Sequence, residues 1–157
     1  MSTRANIIVK DARSEVILYR HSDGYPEETM IALNKYMDWV RSGHVRNNVT
    51  QSVGWLIILG ALEYCTIPKY ETEKPGSPTL AYAKIETVQE PRDWKSGAFE
   101  ITDSIHFDIE YLYTVDLETK EITCKERQNW GDDVKDWPEI PMINIAGYKH
   151  AESIVGG

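Results

Sequence analysis

The sequence has few cysteines and no excess of positive charge. Two cysteines, Cys65 and Cys124, occur among 157 residues, which is too few for a disulfide framework. This scarcity is typical of a reducing, cytoplasmic compartment. Asp and Glu number 25 against 17 Lys and Arg, so the net charge is −8. A nucleic-acid binder needs clustered cations to displace counterions from phosphates, so we expect no direct binding to nucleic acid.

The sequence also lacks a long apolar run. The longest one, 53–62, is about half of what spans a bilayer. Residues 1–9 lack the basic start and long apolar core of a secretory signal, so we expect no membrane partner. No phosphate-loop, dinucleotide-binding or Gly-x-Ser-x-Gly motif occurs. The sequence therefore predicts no cofactor, and it assigns no catalytic residue.

The chain contains enough apolar residues to form the hydrophobic core of one domain. Hydrophobic residues make up 41% of it and charged residues 27%, close to the average of globular proteins. We expect a single domain over 1–157. The part 128–157 has aromatic residues enough to pack on that domain as an irregular C-terminal arm.

The pattern of apolar residues predicts strands at both ends of the chain and helices between them. Runs rich in β-branched residues predict strands at 5–10 and 15–20. Apolar residues at helical spacing predict helices over 26–42 and 50–64. Later strands are expected at 80–88, 105–116 and 121–126, with a short one at 98–102 and a loop at 66–79. The longer elements follow the order β-β-α-α-β-β-β, which predicts an α+β fold with two helices on one face of a mainly antiparallel sheet.

The predicted strand 105–116 carries a group of ligand-type side chains. Its period of two places His106, Asp108 and Glu110 on one face. These side chains suit a divalent metal or acid–base chemistry, and His21 is the candidate for a further ligand. The other interpretation is that these three side chains form the solvent-exposed face of an amphipathic strand. Since nothing fixes a second ligand pair at metal spacing, the sequence predicts no metal site.

A second constellation lies where the second strand meets the first helix. A turn that enters a helix N-terminus offers free backbone N–H groups and favours an anion. The candidate ligand-binding residues are Arg4, Arg20, His21, Asp23 and Tyr25. One interpretation is a pocket for a phosphate or a nucleotide. The alternative is structural, with Asp23 in the turn and Tyr25 setting the helix entry.

Two stretches of the sequence resemble a diffuse family of small phage and prophage proteins. Its members typically begin M-S-T-R-A and carry H-x-D-G-Y-P-E before a helix, as 1–5 and 21–27 do here. The later stretch 109–113 is similar to an E-Y-x-Y strand of that family. The resemblance covers about the first 28 residues and is loose elsewhere. It implies a setting, an accessory gene of a virus or mobile element in a bacterial host, and no particular activity.

Negative charge is concentrated in the second half of the chain. Residues 1–78 carry nine acidic and nine basic residues, whereas 100–139 carry twelve acidic and four basic ones. Such an asymmetry acts on partners rather than on the fold. One interpretation is a solvated surface that prevents association. The other is a negative face that docks on a basic groove built for DNA or RNA.

The docking interpretation predicts a phage-encoded inhibitor of a bacterial defence system, such as a CRISPR–Cas complex. We expect it to act in the host cytoplasm by stoichiometric binding to a protein with a basic nucleic-acid-binding groove, and not as an enzyme. The predicted contact residues are carboxylates and two tryptophan anchors: Asp103, Asp108, Glu110, Asp116, Glu118, Trp130, Asp132, Asp133, Asp136 and Trp137. The alternative function is a protein that binds or hydrolyses a nucleotide used as a defence signal.

Overall fold

The computed structural model describes residues 3–70, 83–88 and 98–141, which form an α+β fold. Its strands and helices, in chain order, are β1 (Ala5–Lys10), β2 (Glu15–Arg20), α1 (Pro26–Arg41), α2 (Val49–Cys65), β3 (Thr66–Tyr70), β4 (Ala83–Val88), β5 (Glu100–Thr102), β6 (Tyr111–Asp116) and β7 (Glu121–Glu126). A single turn of 3₁₀ helix follows at Val134–Asp136. This order confirms the predicted fold class.

The main sheet has five strands in the order β5-β2-β1-β6-β7. Neighbouring strands are antiparallel except for β1 and β6, which run parallel. A parallel pair needs a long crossover connection, and α1 and α2 lie within the chain that joins these two strands. Strands β3 and β4 form a separate antiparallel pair.

Both helices pack on one face of the main sheet, which we call the helix face. Alternate strand residues point to this face and bury completely against α1 and α2; they include Ile7, Val9, Leu18, Tyr113 and Val115. Helix α1 begins at Pro26, which has no N–H to leave unpaired, and it has Glu27 and Glu28 in its first turn. Gly43, with a φ of 78°, follows its end.

The opposite face of the sheet, the outer face, is also partly covered. Tyr19, Ile109, Leu112 and Trp137 form a second buried cluster there. The arm also pairs with the free edge of β7: the N–H of Ile140 donates to the carbonyl of Cys124, and the N–H of Glu126 donates to that of Pro138. The described part of the predicted arm, up to residue 141, therefore contacts both the outer face and one edge of the sheet.

The predicted strand 105–116 is wrong over its first half, because β6 begins only at Tyr111. Residues 105–110 cross the outer face with their main-chain groups bound to other partners. The N–H of His106 donates to Oδ1 of the buried Asn6, and the N–H of Glu110 donates to the carbonyl of Arg4. The side chains of His106, Asp108 and Glu110 consequently do not form the row that a strand would give.

The predicted loop 66–79 is wrong at its start. Residues 66–70 form β3, which pairs with β4, and the rest of that loop lies outside the described residues. Pro68 favours a loop in the sequence, but a register shift between Ile67 and Pro68 accommodates it. Within the described ranges, no helix combines the length and the apolar character needed to span a bilayer.

Candidate functional site

Arg127 follows β7 directly and ties together the two segments on the outer face. Its Nε donates to the carbonyl of Ile109 at 2.8 Å, and its Nη2 donates to that of Phe107 at 2.7 Å. Its Nη1 donates to the carbonyl of Trp130 at 3.0 Å. One guanidinium therefore holds the segment before β6 and the arm after β7 in a fixed relation.

Two tryptophans pack against the same guanidinium. The ring centroids of Trp130 and Trp137 each lie 4.6 Å from the central carbon of Arg127. Trp137 is 4% exposed and belongs to the buried outer-face cluster, whereas Trp130 is 66% exposed. Trp137 thus anchors the group to the protein, and Trp130 presents a large indole surface to solvent.

A third aromatic side chain is exposed beside this stack. Phe107 is 88% exposed, although its carbonyl is held by Arg127. We call Phe107, Arg127 and Trp130 together the aromatic ridge. Exposed aromatic surface on an ordered base is typical of an interaction site, because Trp and Tyr side chains with Arg supply much of the energy at protein interfaces.

Two open clefts flank the aromatic ridge, each about 260 Å³ in volume. Arg127 and Trp130 contribute to both. The first cleft is completed by Glu110, Tyr111, Glu126 and Gln128. The second is completed by Ile105, His106, Phe107, Asp132, Val134 and Trp137. The ridge therefore separates an acidic cleft from a more apolar one.

The lining of the first cleft has a net negative charge and includes the protonated phenol of Tyr111. The Tyr111 hydroxyl donates to Oε1 of Glu126 at 3.2 Å. Burial, and then the nearby Glu126 carboxylate, raises the pKa of Tyr111 to about 12, so the phenol remains a hydrogen-bond donor at neutral pH. Neither Glu110 nor Glu126 takes part in an ion pair with a residue that the structure describes.

Three of the predicted contact carboxylates lie on the arm near Trp130 and are exposed. Asp132 Oδ2 accepts from the N–H of Asn129 at 3.1 Å, which closes the turn that carries Trp130. Asp133 Oδ1 accepts from the N–H of Lys135 and caps the 3₁₀ helix. Asp136 lies within that helix. The structure thus places these carboxylates on the same segment as the exposed indole.

The remaining predicted carboxylates are spread over the sheet. Asp108 pairs with Arg4 at 3.3 Å, and Asp103 follows β5 at the edge opposite β7. Asp116 ends β6 and pairs with Lys10 at 3.9 Å, and Glu118 follows in the β6–β7 turn. The two ends of β6 are about 17 Å apart, so Asp116 and Glu118 lie at the far end of the sheet from the ridge.

The early ligand-binding candidates are divided between the two faces of the sheet. Arg20 is 1% exposed on the helix face, where its Nη2 lies 2.7 Å from Oε2 of Glu63. Arg4 and His21 meet elsewhere, with 3.5 Å between Nε and Nδ1. Nδ1 of His21 is also 2.8 Å from the Tyr19 hydroxyl. The structure therefore brings Arg4 and His21 together and separates them from the Arg20 guanidinium.

The turn of this motif has a clear structural role. Asp23 has a φ of 57°, and its carbonyl accepts from Nε of Arg20 and from the Thr29 hydroxyl. The carbonyl of Gly24 accepts from the Tyr113 hydroxyl at 2.6 Å. Tyr25 stands at the N-cap of α1 and makes no side-chain cap bond there. These contacts join the turn to both the sheet and the helix.

No metal centre appears in the described part of the chain: no three His, Cys, Asp or Glu side chains are grouped closely enough to hold an ion. His106 instead stacks on Tyr19, with 4.1 Å between ring centroids, and its Nε2 lies 3.2 Å from the Thr102 hydroxyl. Cys124 is a buried free thiol, and burial raises its pKa to about 12. This thiol is not activated as a nucleophile.

Sequence reasoning missed three members of the site. In the predicted strand 105–116, Phe107 lies on the face opposite His106, Asp108 and Glu110, and Arg127 and Glu126 belong to no motif. Apolar and polar residues alternate from 105 to 110, and this pattern predicts a strand where the structure has none. The available clue to Arg127 is its position between Glu126 and Trp130, as one of four basic residues in an acidic stretch.

Comparisons with known proteins give no further guide to the site, since no family model, no curated protein and no solved structure matches the chain.

Proposed function

We propose that this protein is a stoichiometric inhibitor that binds a basic nucleic-acid-binding groove of a host protein through the aromatic ridge and the carboxylates around it. The observation that carries the proposal is Trp130, which is 66% exposed although Arg127 fixes its carbonyl and covers its ring. An indole held in this way loses little conformational entropy when a partner covers it. Trp130 is therefore the expected energetic centre of the contact.

Charge around the ridge supports a basic partner. Glu110 and Glu126 line the first cleft, Asp132 lines the second, and Asp133 and Asp136 follow on the arm. Carboxylates beside an aromatic anchor speed encounter with a positive surface, while the anchor slows dissociation. The far group, Asp116 and Glu118, lies outside this contact in our proposal.

The proposed setting rests on the resemblance to phage proteins. A virus-encoded protein that disables host machinery acts in the bacterial cytoplasm, and complexes that handle nucleic acid, such as CRISPR–Cas, expose basic grooves. A negative surface that occupies such a groove competes with the nucleic acid. No enzymatic step is part of this function.

The test is a direct competition with a purified partner. The tagged chain is used to capture proteins from a bacterial lysate at low and high salt, and each captured nucleic-acid-binding protein is then purified. We expect one equivalent of the chain to abolish nucleic-acid binding by that protein, with an association rate that falls steeply as salt rises. A captured protein whose nucleic-acid binding is unaffected contradicts the proposal.

Variants locate the contact. Trp130→Ala is expected to weaken binding by at least about 30-fold, since a hot-spot residue contributes about 2 kcal/mol or more. Ile101→Ala is the matched control, because Ile101 is 67% exposed on the edge strand β5, away from the ridge. Equal effects of the two substitutions exclude the ridge as the contact.

A second pair of variants tests the charge. Asp132→Lys with Asp136→Lys is expected to slow association about tenfold or more at low salt. Glu15→Lys with Glu118→Lys makes the same change in net charge at the far end of the sheet and is expected to have a much smaller effect. If both pairs slow association equally, the total charge matters and the proposed surface is wrong.

Nucleotide binding is the second candidate function, favoured by the meeting of Arg4 and His21 on partly exposed surface. If it is correct, His21→Ala abolishes binding of nucleotides, measured by calorimetry, and leaves the melting temperature nearly unchanged. Because His21 also contacts the Tyr19 hydroxyl, a structural role predicts the reverse. A lower melting temperature together with no nucleotide binding by the unmodified protein excludes this candidate.

A further inference from the structure

We propose that the first cleft, beside Trp130, receives an arginine side chain of the protein partner. This inference rests on the proposed function and identifies the chemical group that the ridge recognises. The occupant is planar and cationic, and it lies between the open surface of the indole and the carboxylates of Glu110 and Glu126.

The walls of the cleft match a guanidinium group. Carboxylates accept the parallel N–H bonds of an arginine, and an indole surface attracts a planar cation. Oε1 of Glu126 accepts from Tyr111, while no described residue pairs with the Glu110 carboxylate or with Oε2 of Glu126. The residues that line the cleft therefore include two acidic residues with free acceptor capacity and the exposed Trp130.

The protein itself shows that the Trp130 indole packs against a guanidinium. The central carbon of Arg127 lies 4.6 Å from the Trp130 ring centroid. A partner arginine repeats this contact on surface of the indole that remains open, since the residue is 66% exposed. The Arg127 donors Nε, Nη1 and Nη2 each bind a main-chain carbonyl, so Arg127 does not occupy the carboxylates of the cleft.

The net charge of the residues that line the first cleft favours a cationic occupant, although Arg127 is one of them. The charged residues that line the cleft are Glu110, Glu126 and Arg127, so its lining has a net negative charge. An anionic or purely apolar side chain would leave these carboxylates uncompensated.

The test uses three short peptides and the nuclear magnetic resonance signal of the Trp130 indole N–H, assigned with Trp130→Phe. The peptides are Gly-Gly-Xaa-Gly-Gly with blocked ends, in which Xaa is arginine, lysine or citrulline. Citrulline keeps the planar shape and loses the charge, whereas lysine keeps the charge and loses the plane. We expect saturable shifts with arginine, at least about threefold weaker binding of lysine, and no measurable binding of citrulline.

Variants of the cleft complete the test. Glu110→Gln and Glu126→Gln preserve shape, and each is expected to weaken arginine-peptide binding about threefold or more. Glu118→Gln, at the far end of the sheet, is the control and is expected to change nothing. Equal binding of arginine and lysine, or insensitivity to Glu110→Gln and Glu126→Gln, overturns the inference.

The inference and the proposed function fail separately. If no peptide shifts the Trp130 signal while the whole partner still binds through Trp130, the arginine site is wrong and the inhibitor function stands. If the arginine peptide binds as expected but no protein partner loses nucleic-acid binding, the inhibitor function is wrong and the arginine site stands. A change in sedimentation that Trp130→Ala abolishes in the isolated protein identifies a second copy of the chain as the occupant and overturns the inference.

Discussion

At the scale of single residues, the early turn shows how the absence of a side chain at Gly24 allows the turn to lie against the chain at the start of β1. The N–H of Gly24 donates to the carbonyl of Thr3 at 2.9 Å. A Cβ atom at position 24 would lie 2.9 Å from both that oxygen and the Cβ of Ala5. Ala5 is the first residue of β1 and Thr3 lies two residues before it, so neither can move without shifting the start of that strand. The motif around Gly24 is therefore required by packing, whatever else it does.

The first prediction follows from this contact. Gly24→Ala is expected to lower the free energy of unfolding by about 2 kcal/mol or more, because the added methyl group displaces backbone. Denaturant unfolding measures the effect. Gly54→Ala is the control, since nothing lies within 4 Å of the new Cβ in α2, and it is expected to stabilise by about 0.5–1 kcal/mol. Equal behaviour of the two variants would contradict the close approach at Gly24.

At the scale of elements, the arm depends on contacts of one side chain for its position. Arg127 binds carbonyls on the segment before β6 and on the arm itself. The central carbon of its guanidinium also lies 4.6 Å from the ring centroids of both Trp130 and Trp137. A lysine has the same charge but a single ammonium group, so it cannot reproduce this set of bonds.

The second prediction concerns the position of the arm that Arg127 holds. Arg127→Lys is expected to lower the free energy of unfolding by about 1–3 kcal/mol, because carbonyl groups lose their charged donor. It is also expected to speed proteolytic cleavage within 128–141, measured by limited proteolysis and mass spectrometry. Lys125→Arg, two residues earlier on β7, is the control and should leave cleavage unchanged. Unaltered cleavage of Arg127→Lys would show that the arm is held by other contacts.

Local patterns predicted the elements that lie on the helix face. The runs of β-branched residues in β1 and β2 and the helical spacing of apolar residues in α1 are local features that a sequence displays directly. The same reasoning fails for the segment 105–110, because its alternating sequence is not matched by an alternation of buried and exposed residues: Phe107 is 88% exposed, whereas Ile109 is fully buried. Its path depends on Asn6 and Arg127, which are distant in the chain. Contacts of this kind leave no periodic trace.

The aromatic ridge was only partly predictable for the same reason. The sequence identifies Trp130 and Trp137 as anchors near carboxylates, but their different exposure depends on tertiary packing, since only Trp137 belongs to the buried outer-face cluster. The acidic stretch looks continuous along the chain, yet β6 carries its members to opposite ends of the sheet. A high density of acidic residues along the sequence therefore does not show that their carboxylates are close together in the structure.

At the scale of the whole molecule, buried proton donors limit stability at alkaline pH. Burial raises the pKa of Tyr111 and of Cys124 to about 12, and it raises the pKa of Tyr113 as well. In the unfolded chain these groups ionise at about pH 9–10. Because the folded pKa values lie above the unfolded ones, the stabilisation is fully present below pH 9 and is lost as the pH rises toward 12.

The third prediction is a sharp loss of stability between pH 9 and pH 12. The free energy of unfolding, measured with denaturant at a series of pH values, should be nearly constant from pH 7 to 9 and then fall. Cys124→Ala removes one ionising group and should make the decline less steep, even if the variant is less stable at pH 7. A decline equally steep in both proteins would show that the thiol does not contribute.

The pairing of residues 138–140 with β7 affects whether copies of the chain can associate through their sheet edges. An open β-strand edge offers unpaired N–H and carbonyl groups as a template for another molecule. Here Ile140 and Glu126 contribute the hydrogen bonds that close that edge. A chain shortened after Arg127 would leave the edge of β7 unpaired over residues 124–126, and its copies would then be prone to fibrillar self-assembly.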